Sequence, residues 1–221
     1  MSPRFSLRIL TMLKKIRQNV YIGLIIVALV AIGLATINNK TPKYVEAEVV
    51  RFSTDTPNED KPTSEFVWKG QKNDPKKIVI PSVGIDDYIQ NVGIDQNNEI
   101  AVPNNVFIAG WFVDSVRPGD KGLSIIDGHI DGRQQTGAVF KNLPEIAVND
   151  ELTIVFGDNT EVKFRVVQKQ ESSVEETPSA LYSQNPEISN QLNLITCVGN
   201  FDSQARQYDK RLIVSLEAIL Q

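Results

Sequence analysis

Short apolar runs recur along the chain from Lys76 onward, and most are bounded by turn-forming residues. The runs are rich in Val and Ile and end at Gly, Pro, Asn or Asp, which is the pattern of β-strands. They are KIVIPSVG, YIQNVGID, LSIIDGHI, ELTIVFGDN, VKFRVVQ, LNLITCVG and RLIVSLEAI. GDN at 157–159 predicts a hairpin turn, and the stretches 137–143 and 178–184 predict two short helices. The pattern therefore predicts one all-β domain over 76–221, either a closed barrel or a sandwich.

An apolar segment without a single charge, VYIGLIIVALVAIGLATI, occupies residues 20–37. A helix of this length, rising about 1.5 Å per residue, spans ~27 Å, which is close to the hydrocarbon thickness of a bilayer. Five Lys/Arg residues precede the segment and no acidic residue occurs before Glu46, so the positive-inside rule keeps residues 1–19 in the cytoplasm. The sequence predicts a cytoplasmic basic tail, a single-pass anchor in the cell membrane and an extracytoplasmic C-terminal domain.

Two other interpretations of residues 20–37 stay open. A cleaved secretory signal has a shorter apolar core of about 7–15 residues and ends in a small-x-small site, whereas AIGLATINNK contains no clear A-x-A triplet. A buried core helix is the third interpretation. The anchor and the signal both place the domain outside the cytoplasm.

Residues 38–75 are polar and are interrupted by four prolines. This composition predicts a flexible or partly extended stalk between the membrane and the domain. Beyond residue 43 the chain contains sixteen of the 23 Lys/Arg residues and all 27 Asp/Glu residues, a net charge of −11. A nucleic acid backbone requires clustered Lys/Arg, so we expect no nucleic-acid partner.

Cys197 is the only cysteine in the sequence and ends the apolar run LNLITC. An exported protein with one cysteine has no internal disulfide partner, so the thiol serves packing, an intermolecular bridge or chemistry. The alternation of a strand places Cys197 on the face opposite Leu192, Leu194 and Thr196. We expect Cys197 at the end of its strand, where VGN begins a loop.

His129 is the only histidine, and it also ends an apolar run, LSIIDGH, before a glycine-bearing loop. An imidazolium beside a cysteine stabilises the thiolate and later donates a proton to a leaving amine. A lone histidine is more often a surface or structural residue. Here, however, the sequence supplies one nucleophile and one base at the same kind of strand end.

A metal loop is the other interpretation of DGHIDG, in which Asp127, His129 and Asp131 alternate. A calcium loop would place His129 at its third position and Ala138 at its twelfth, and neither residue suits an all-oxygen cage closed by a bidentate glutamate. Zinc would require ligands from elsewhere in the chain. We therefore expect no metal and no cofactor.

Arg211 begins the last apolar run, within YDKRLIV, fourteen residues after Cys197. If the two runs pair, its guanidinium lies near the thiol, where it could hold a substrate carbonyl or stabilise the oxyanion of a tetrahedral intermediate. Arg206, in the intervening loop, is the rival for this role. An ordinary surface arginine is the alternative.

These motifs together resemble the sortase family. LITC followed by a loop and YDKR is similar to the family's TLxTC strand with its downstream arginine, and DGHID is similar to the histidine segment after the family's fourth strand. The basic N-terminus, anchor, stalk and β-domain match the layout of sortases, and GWF at 110–112 with ITCVGNFD is most similar to class F. Asn193 departs from the pattern, because the family usually has threonine there.

The resemblance implies a closed eight-stranded sortase-like β-barrel with one or two short helices, preceded by the single transmembrane helix. It implies that Cys197 attacks the Thr–Gly bond of an LPxTG-like sorting signal on a secreted protein, with His129 as general acid and base. Arg211 would position the substrate and stabilise the oxyanion, and Thr196 would bind substrate. An amine on a cell-wall precursor or a pilin would then resolve the thioacyl intermediate at the cell surface.

Two other kinds of function are compatible with parts of the sequence. A non-catalytic binding or scaffold domain would have Cys197 packed and His129 incidental. Other cysteine enzymes match less well, because papain-like enzymes place the cysteine before the histidine in the chain. The L,D-transpeptidases carry S-x-G-C-x-R, whereas Ile195-Thr196 precedes the cysteine here.

Overall fold

Nine strands form one continuous sheet in the computed structural model, which describes residues 47–133 and 137–219. The strands are β1 (Val49–Val50), β2 (Pro75–Ile80), β3 (Ile85–Val92), β4 (Ala109–Phe112), β5 (Gly122–Asp127), β6 (Glu151–Phe156), β7 (Glu161–Ser173), β8 (Asn190–Asp202) and β9 (Gln207–Ile219). A short helix, α1 (Thr177–Leu181), follows β7, and 3-10 turns occupy Pro81–Val83 and Leu143–Glu145.

The sheet closes into a barrel of eight strands in the order β3-β2-β6-β7-β9-β8-β5-β4, because β4 also pairs with β3. The β3–β4 and β5–β8 pairs are parallel, and the other neighbours in the barrel are antiparallel. The two-residue β1 lies outside this ring and pairs with the end of β3. The predicted all-β class is confirmed, as is the closed eight-stranded barrel that the resemblance implied.

Alternate side chains of the strands fill the barrel interior with aliphatic and aromatic groups. Ile78, Ile154, Phe164, Leu194 and Leu216 come from five different strands and have no exposed surface. The removal of this apolar surface from water is the main stabilising contribution to such a barrel. The alternation of apolar residues in the sequence therefore indicates which side chains point into the barrel.

The strand that carries Cys197 extends further than the sequence predicted. Cys197 lies inside β8 rather than at its end, since β8 continues to Asp202 and remains paired with β9. A bulge after Val198 contains Gly199 at φ 91°, a left-handed conformation that glycine adopts without steric cost. The polar residues beyond the apolar run join the strand because β9 supplies partners for their backbone groups.

One local prediction was wrong, one strand was missed, and two predictions are confirmed. The stretch 137–143 forms turns, followed by the 3-10 turn that begins at Leu143, and β4 was not predicted because it is only four residues long and buried on both faces. The hairpin turn at 157–159 is confirmed between β6 and β7, and α1 confirms the helix predicted over 178–184.

Residues 47–74, which composition assigned to the stalk, lie along the outside of the barrel. Val50 is buried against Val92 and Ala101, and Trp68 Nε1 donates a hydrogen bond of 2.7 Å to the carbonyl of Ile89. Apolar and aromatic residues scattered through the polar stretch make these contacts. The mean composition of the stretch does not show these residues. The domain boundaries assigned from the sequence stay predictions.

The basic tail at 1–19 and the anchor at 20–37 fall outside the residues that the structure describes. Over 47–133 and 137–219, no helix combines the length and the apolar character needed to cross a membrane.

Candidate active site

A groove of about 350 Å³ on the outside of the barrel brings together Cys197, His129 and Arg211. Its apolar walls come from three parts of the chain, and include Ile100, Val102, Leu181, Tyr182 and Ile195. The last turn of α1 forms one wall, because Leu181 packs with Ile213 on the outer face of the sheet. The three sequence-predicted catalytic residues therefore share one concave surface.

The antiparallel register of the β8–β9 hairpin places Arg211 directly opposite Cys197. Nη1 of Arg211 donates to the carbonyls of Tyr208 and Lys210, each at 3.0 Å, and these bonds restrain the guanidinium. The rival Arg206 lies in the exposed turn between the strands and pairs with Asp55 at 3.3 Å. The pairing therefore puts Arg211, and not Arg206, beside the thiol.

His129 lies just after β5 and is fixed by a hydrogen bond of 2.9 Å between its Nε2 and the carbonyl of Pro103. A carbonyl only accepts hydrogen bonds, so Nε2 carries a proton and the neutral ring has its lone pair on Nδ1. Burial lowers the pKa of His129, although the Pro103 bond and the nearby Asp131 carboxylate act in the opposite direction. The neutral ring is thus prepared to accept a proton at Nδ1.

The thiol of Cys197 is half-buried and belongs to no disulfide. Burial raises its pKa, the Arg211 guanidinium lowers it, and the carboxyl groups of Asp131 and Asp127 raise it further. Both directions favour a neutral thiol and a neutral imidazole in the resting site. Formation of a thiolate requires Cys197 to lose its proton, and His129 is a base in the same groove.

Thr196 precedes the cysteine and points the other way. Its side chain is buried, and Oγ1 donates a hydrogen bond of 2.8 Å to the carbonyl of Gly128, the residue before His129. This bond ties β8 to the loop that carries the histidine. Thr196 also lines the groove, and its role in substrate binding stays a prediction.

Asn193, which departs from the sortase pattern, is completely buried. Its Nδ2 donates a hydrogen bond of 2.7 Å to the carbonyl of Leu181, and its Oδ1 accepts a hydrogen bond of 2.9 Å from Gln191 Nε2. A longer side chain than threonine is needed to reach from β8 to the end of α1. The departure therefore has a structural explanation, since it anchors the helix that forms a wall of the groove.

Three groups near the site were not assigned to catalysis from the sequence. Pro103 holds His129, Tyr208 donates a hydrogen bond to Asp131, and Asp127 lines the groove beside Cys197. Among these groups only Asp127 carries a sequence signal, its alternation with His129, and that alternation is also the pattern of a metal loop. Among the residues that the structure describes, no group of three or more His, Cys, Asp or Glu side chains is arranged to hold a metal ion.

Comparison with solved structures shows the fold. Sortase A from Corynebacterium diphtheriae, a lid mutant, aligns with a TM-score of 0.51 at 21% identity over 69% of this chain and 74% of its own. Sortase C1 from Streptococcus agalactiae aligns with a TM-score of 0.50 at 18% identity over 69% and 70%. Sortase C from Streptococcus pneumoniae aligns with a TM-score of 0.50 at 15% identity over 69% and 72%.

A comparison with curated proteins gave no match. The sequence model of the sortase domain, however, matches residues 78–219, which is more than half of the chain. The match contains β3 to β9 and all the residues of the groove. The chain therefore belongs to the sortase family, a family of cysteine transpeptidases.

Proposed function

We propose that this sortase cleaves an LPxTG-like sorting signal of secreted proteins between Thr and Gly. The acyl group passes to Cys197 as a thioester and then to an amine at the cell surface. The observation that carries the proposal is the position of Arg211 opposite Cys197 in the groove that also contains His129. Nucleophile, base and cationic oxyanion partner are the three groups that acyl transfer through a thioester requires.

Acylation begins with transfer of the Cys197 proton to His129. The thiolate attacks the threonine carbonyl carbon, and the oxygen of the tetrahedral intermediate becomes negative beside Arg211. Collapse breaks the C–N bond, and His129 donates its proton to the leaving glycine nitrogen. Stabilisation of the oxyanion is the step to which a fixed guanidinium contributes most.

The second half-reaction reverses the proton transfers. Neutral His129 accepts a proton from the amine as its nitrogen attacks the thioester carbon, and the Cys197 sulfur leaves as the thiolate. Water that reaches the thioester first gives hydrolysis. The partition between transfer and hydrolysis depends on how well the groove holds the amine.

The apolar walls of the groove fit the leucine and proline of such a signal. Ile100, Val102 and Leu181 supply aliphatic surface beyond the thiol, and the burial of one leucine side chain contributes roughly 1.5–3 kcal/mol. We assign Thr196 to the part of this site nearest the thiol, where its bond to Gly128 fixes the position of the His129 loop.

Residues 20–37 hold the enzyme in the cell membrane in this proposal, with the barrel on the outer face. Substrates that emerge from the secretion machinery and amines on cell-wall precursors or pilins would then share one surface with the groove. The assignment to class F rests on GWF at 110–112 and on ITCVGNFD. Extraction of the full chain from membranes by detergent, but not by alkaline carbonate, tests the anchor.

The direct test of the function uses the full chain in detergent and a peptide that contains LPxTG. We expect mass spectrometry of the intact protein to detect a thioester adduct on the wild type and none on Cys197→Ala. Cys197→Ala should leave the circular dichroism spectrum unchanged while cleavage is lost. Equal cleavage by this variant, with its purity confirmed by mass, would falsify the proposal, and a scaffold domain would give no adduct at all.

A further inference from the structure

Asp127 occupies a position beside the nucleophile that the steps above do not use. It is the last residue of β5, paired with Gly110 of β4 on one side and with Ile195 of β8 on the other. Its side chain is on the outer face of the barrel and lines the groove together with Cys197. The carboxyl group is therefore within the site, two residues before His129.

One oxygen of the Asp127 carboxyl group lacks a hydrogen-bond partner among the residues that the structure describes. This oxygen, Oδ1, is buried. A Cβ atom at position 110 would collide with this oxygen, so a glycine at that position leaves room for it. A buried polar atom without a partner is costly, and the residue that carries this one lines the groove, so its carboxyl group is a candidate contact for a ligand.

The charge of this carboxylate opposes the first half-reaction. Asp127 raises the pKa of the Cys197 thiol, as does Asp131, so its negative charge disfavours the thiolate. The same carboxylate would attract a cation in the groove, because a carboxylate binds an ammonium ion. The protonated acyl acceptor is the ammonium ion that the proposed reaction brings into the groove, in addition to the guanidinium of Arg211 and the imidazolium of His129.

We propose that Asp127 binds the ammonium group of the acyl acceptor and removes its first proton. The inference rests on the proposed function and adds a residue for its second half-reaction. Burial raises the pKa of Asp127 well above its usual range, so the carboxylate in this groove accepts a proton readily. The amine is thereby delivered to the thioester in its nucleophilic, uncharged form.

The proton balance of the second half-reaction is then complete. The ammonium group gives one proton to the Asp127 carboxylate, and the free amine nitrogen attacks the thioester carbon. The new C–N bond forms, the C–S bond breaks, and the second amine proton passes to His129 while Cys197 leaves as the thiolate. Asp127 returns its proton to solvent when the product departs.

The test compares a charged and an uncharged acceptor on the full chain in detergent. Triglycine carries an ammonium group at pH 7.5, whereas hydroxylamine is uncharged there. We expect Asp127→Asn to reduce transfer to triglycine by about tenfold or more, the effect of one charge-assisted hydrogen bond. Transfer to hydroxylamine should fall by no more than about twofold, and formation of the Cys197 thioester should be retained or accelerated, because the substitution removes a negative charge that disfavours the thiolate.

Asp87→Asn is the matched control, because Asp87 is also an aspartate whose pKa burial raises, but it lies on β3 and does not line the groove. It should leave both transfers unchanged. Equal losses with both acceptors, loss of thioester formation, or no loss with triglycine in Asp127→Asn would each overturn the inference while leaving the proposed function intact. Absence of a thioester in the wild type would instead refute the proposed function.

A second measurement requires no variant. In the wild type, propylammonium chloride should inhibit transfer to triglycine in competition with it, whereas 1-propanol at the same concentration should not. Equal effects of the two compounds would show that the groove does not recognise the charge, and would overturn the inference even if every Asp127 variant failed to fold.

Discussion

Cys197 and Arg211 face each other as register partners across the β8–β9 hairpin, fourteen residues apart in the chain. Arg206, which is closer in sequence, lies instead in the exposed turn and pairs with Asp55. The hairpin register therefore distinguishes two arginines that the sequence left as rivals. The effects of this arrangement on the rate of thioester formation, on the titration of Cys197 and on the stability of the fold can be measured separately.

Arg211→Ala should reduce the rate of thioester formation by about 10²–10³, the usual cost of the loss of one oxyanion partner. The free energy of unfolding should change by no more than about 0.5 kcal/mol, since the guanidinium contacts only local carbonyls. Rapid-quench mass spectrometry measures the first quantity and urea denaturation the second. Arg206→Ala is the control, and a loss as large as that of Arg211→Ala would return the assignment to Arg206.

The alkylation rate of Cys197 by iodoacetamide should rise with pH, with its midpoint above the usual thiol range. Burial raises the pKa of this thiol, so the reactive thiolate becomes populated only as the pH rises through the raised value. Arg211→Ala removes a positive charge that lowers this pKa and should move the midpoint to higher pH. Asp131→Asn removes a negative charge that raises it and should move the midpoint to lower pH. A shift of the same sign in both variants would contradict this electrostatic account.

Thr196→Val should destabilise the barrel by about 1–3 kcal/mol, because the carbonyl of Gly128 loses its buried donor while the side-chain shape is kept. We expect the rate of thioester formation to fall as well, and by more than the loss of stability alone would cause, since the same bond positions the loop of His129. Thr196→Ser retains the hydroxyl and should recover most of both quantities. A Thr196→Val protein with wild-type rate would mean that the bond does not position the histidine.

Asn193→Leu tests why this chain departs from the family pattern. The substitution keeps the branched shape but leaves the carbonyl of Leu181 without its donor and Gln191 Nε2 without its acceptor, so the free energy of unfolding should fall by about 1–3 kcal/mol. The KM for an LPxTG peptide should rise, because α1 loses its attachment beside the groove. Asn97→Leu, at an exposed position, is the control and should change stability by less than about 0.5 kcal/mol.

The sequence identified the strands wherever apolar residues alternate over six or more positions, as in β6 and β9. It missed β4, since four residues buried on both faces show no alternation. It also ended β8 at Cys197, because the polar continuation is held in place by its partner strand β9 and has no apolar pattern of its own. Sequence patterns therefore predict least well the strands that are held in place by a neighbouring strand and have no apolar alternation of their own.

Residue type and local period were enough to predict the β class, the candidate nucleophile Cys197 and the candidate base His129. Tertiary contacts place Arg211 rather than Arg206 beside Cys197, hold His129 through Pro103, and leave Oδ1 of Asp127 without a hydrogen-bond partner among the described residues. The first depends on the register of two strands, the second on the approach of one loop to another, and the third on the burial of a side chain between segments that are distant in the sequence. Such relations arise only when the barrel closes, since the energy that fixes them comes from contacts between residues far apart in the chain.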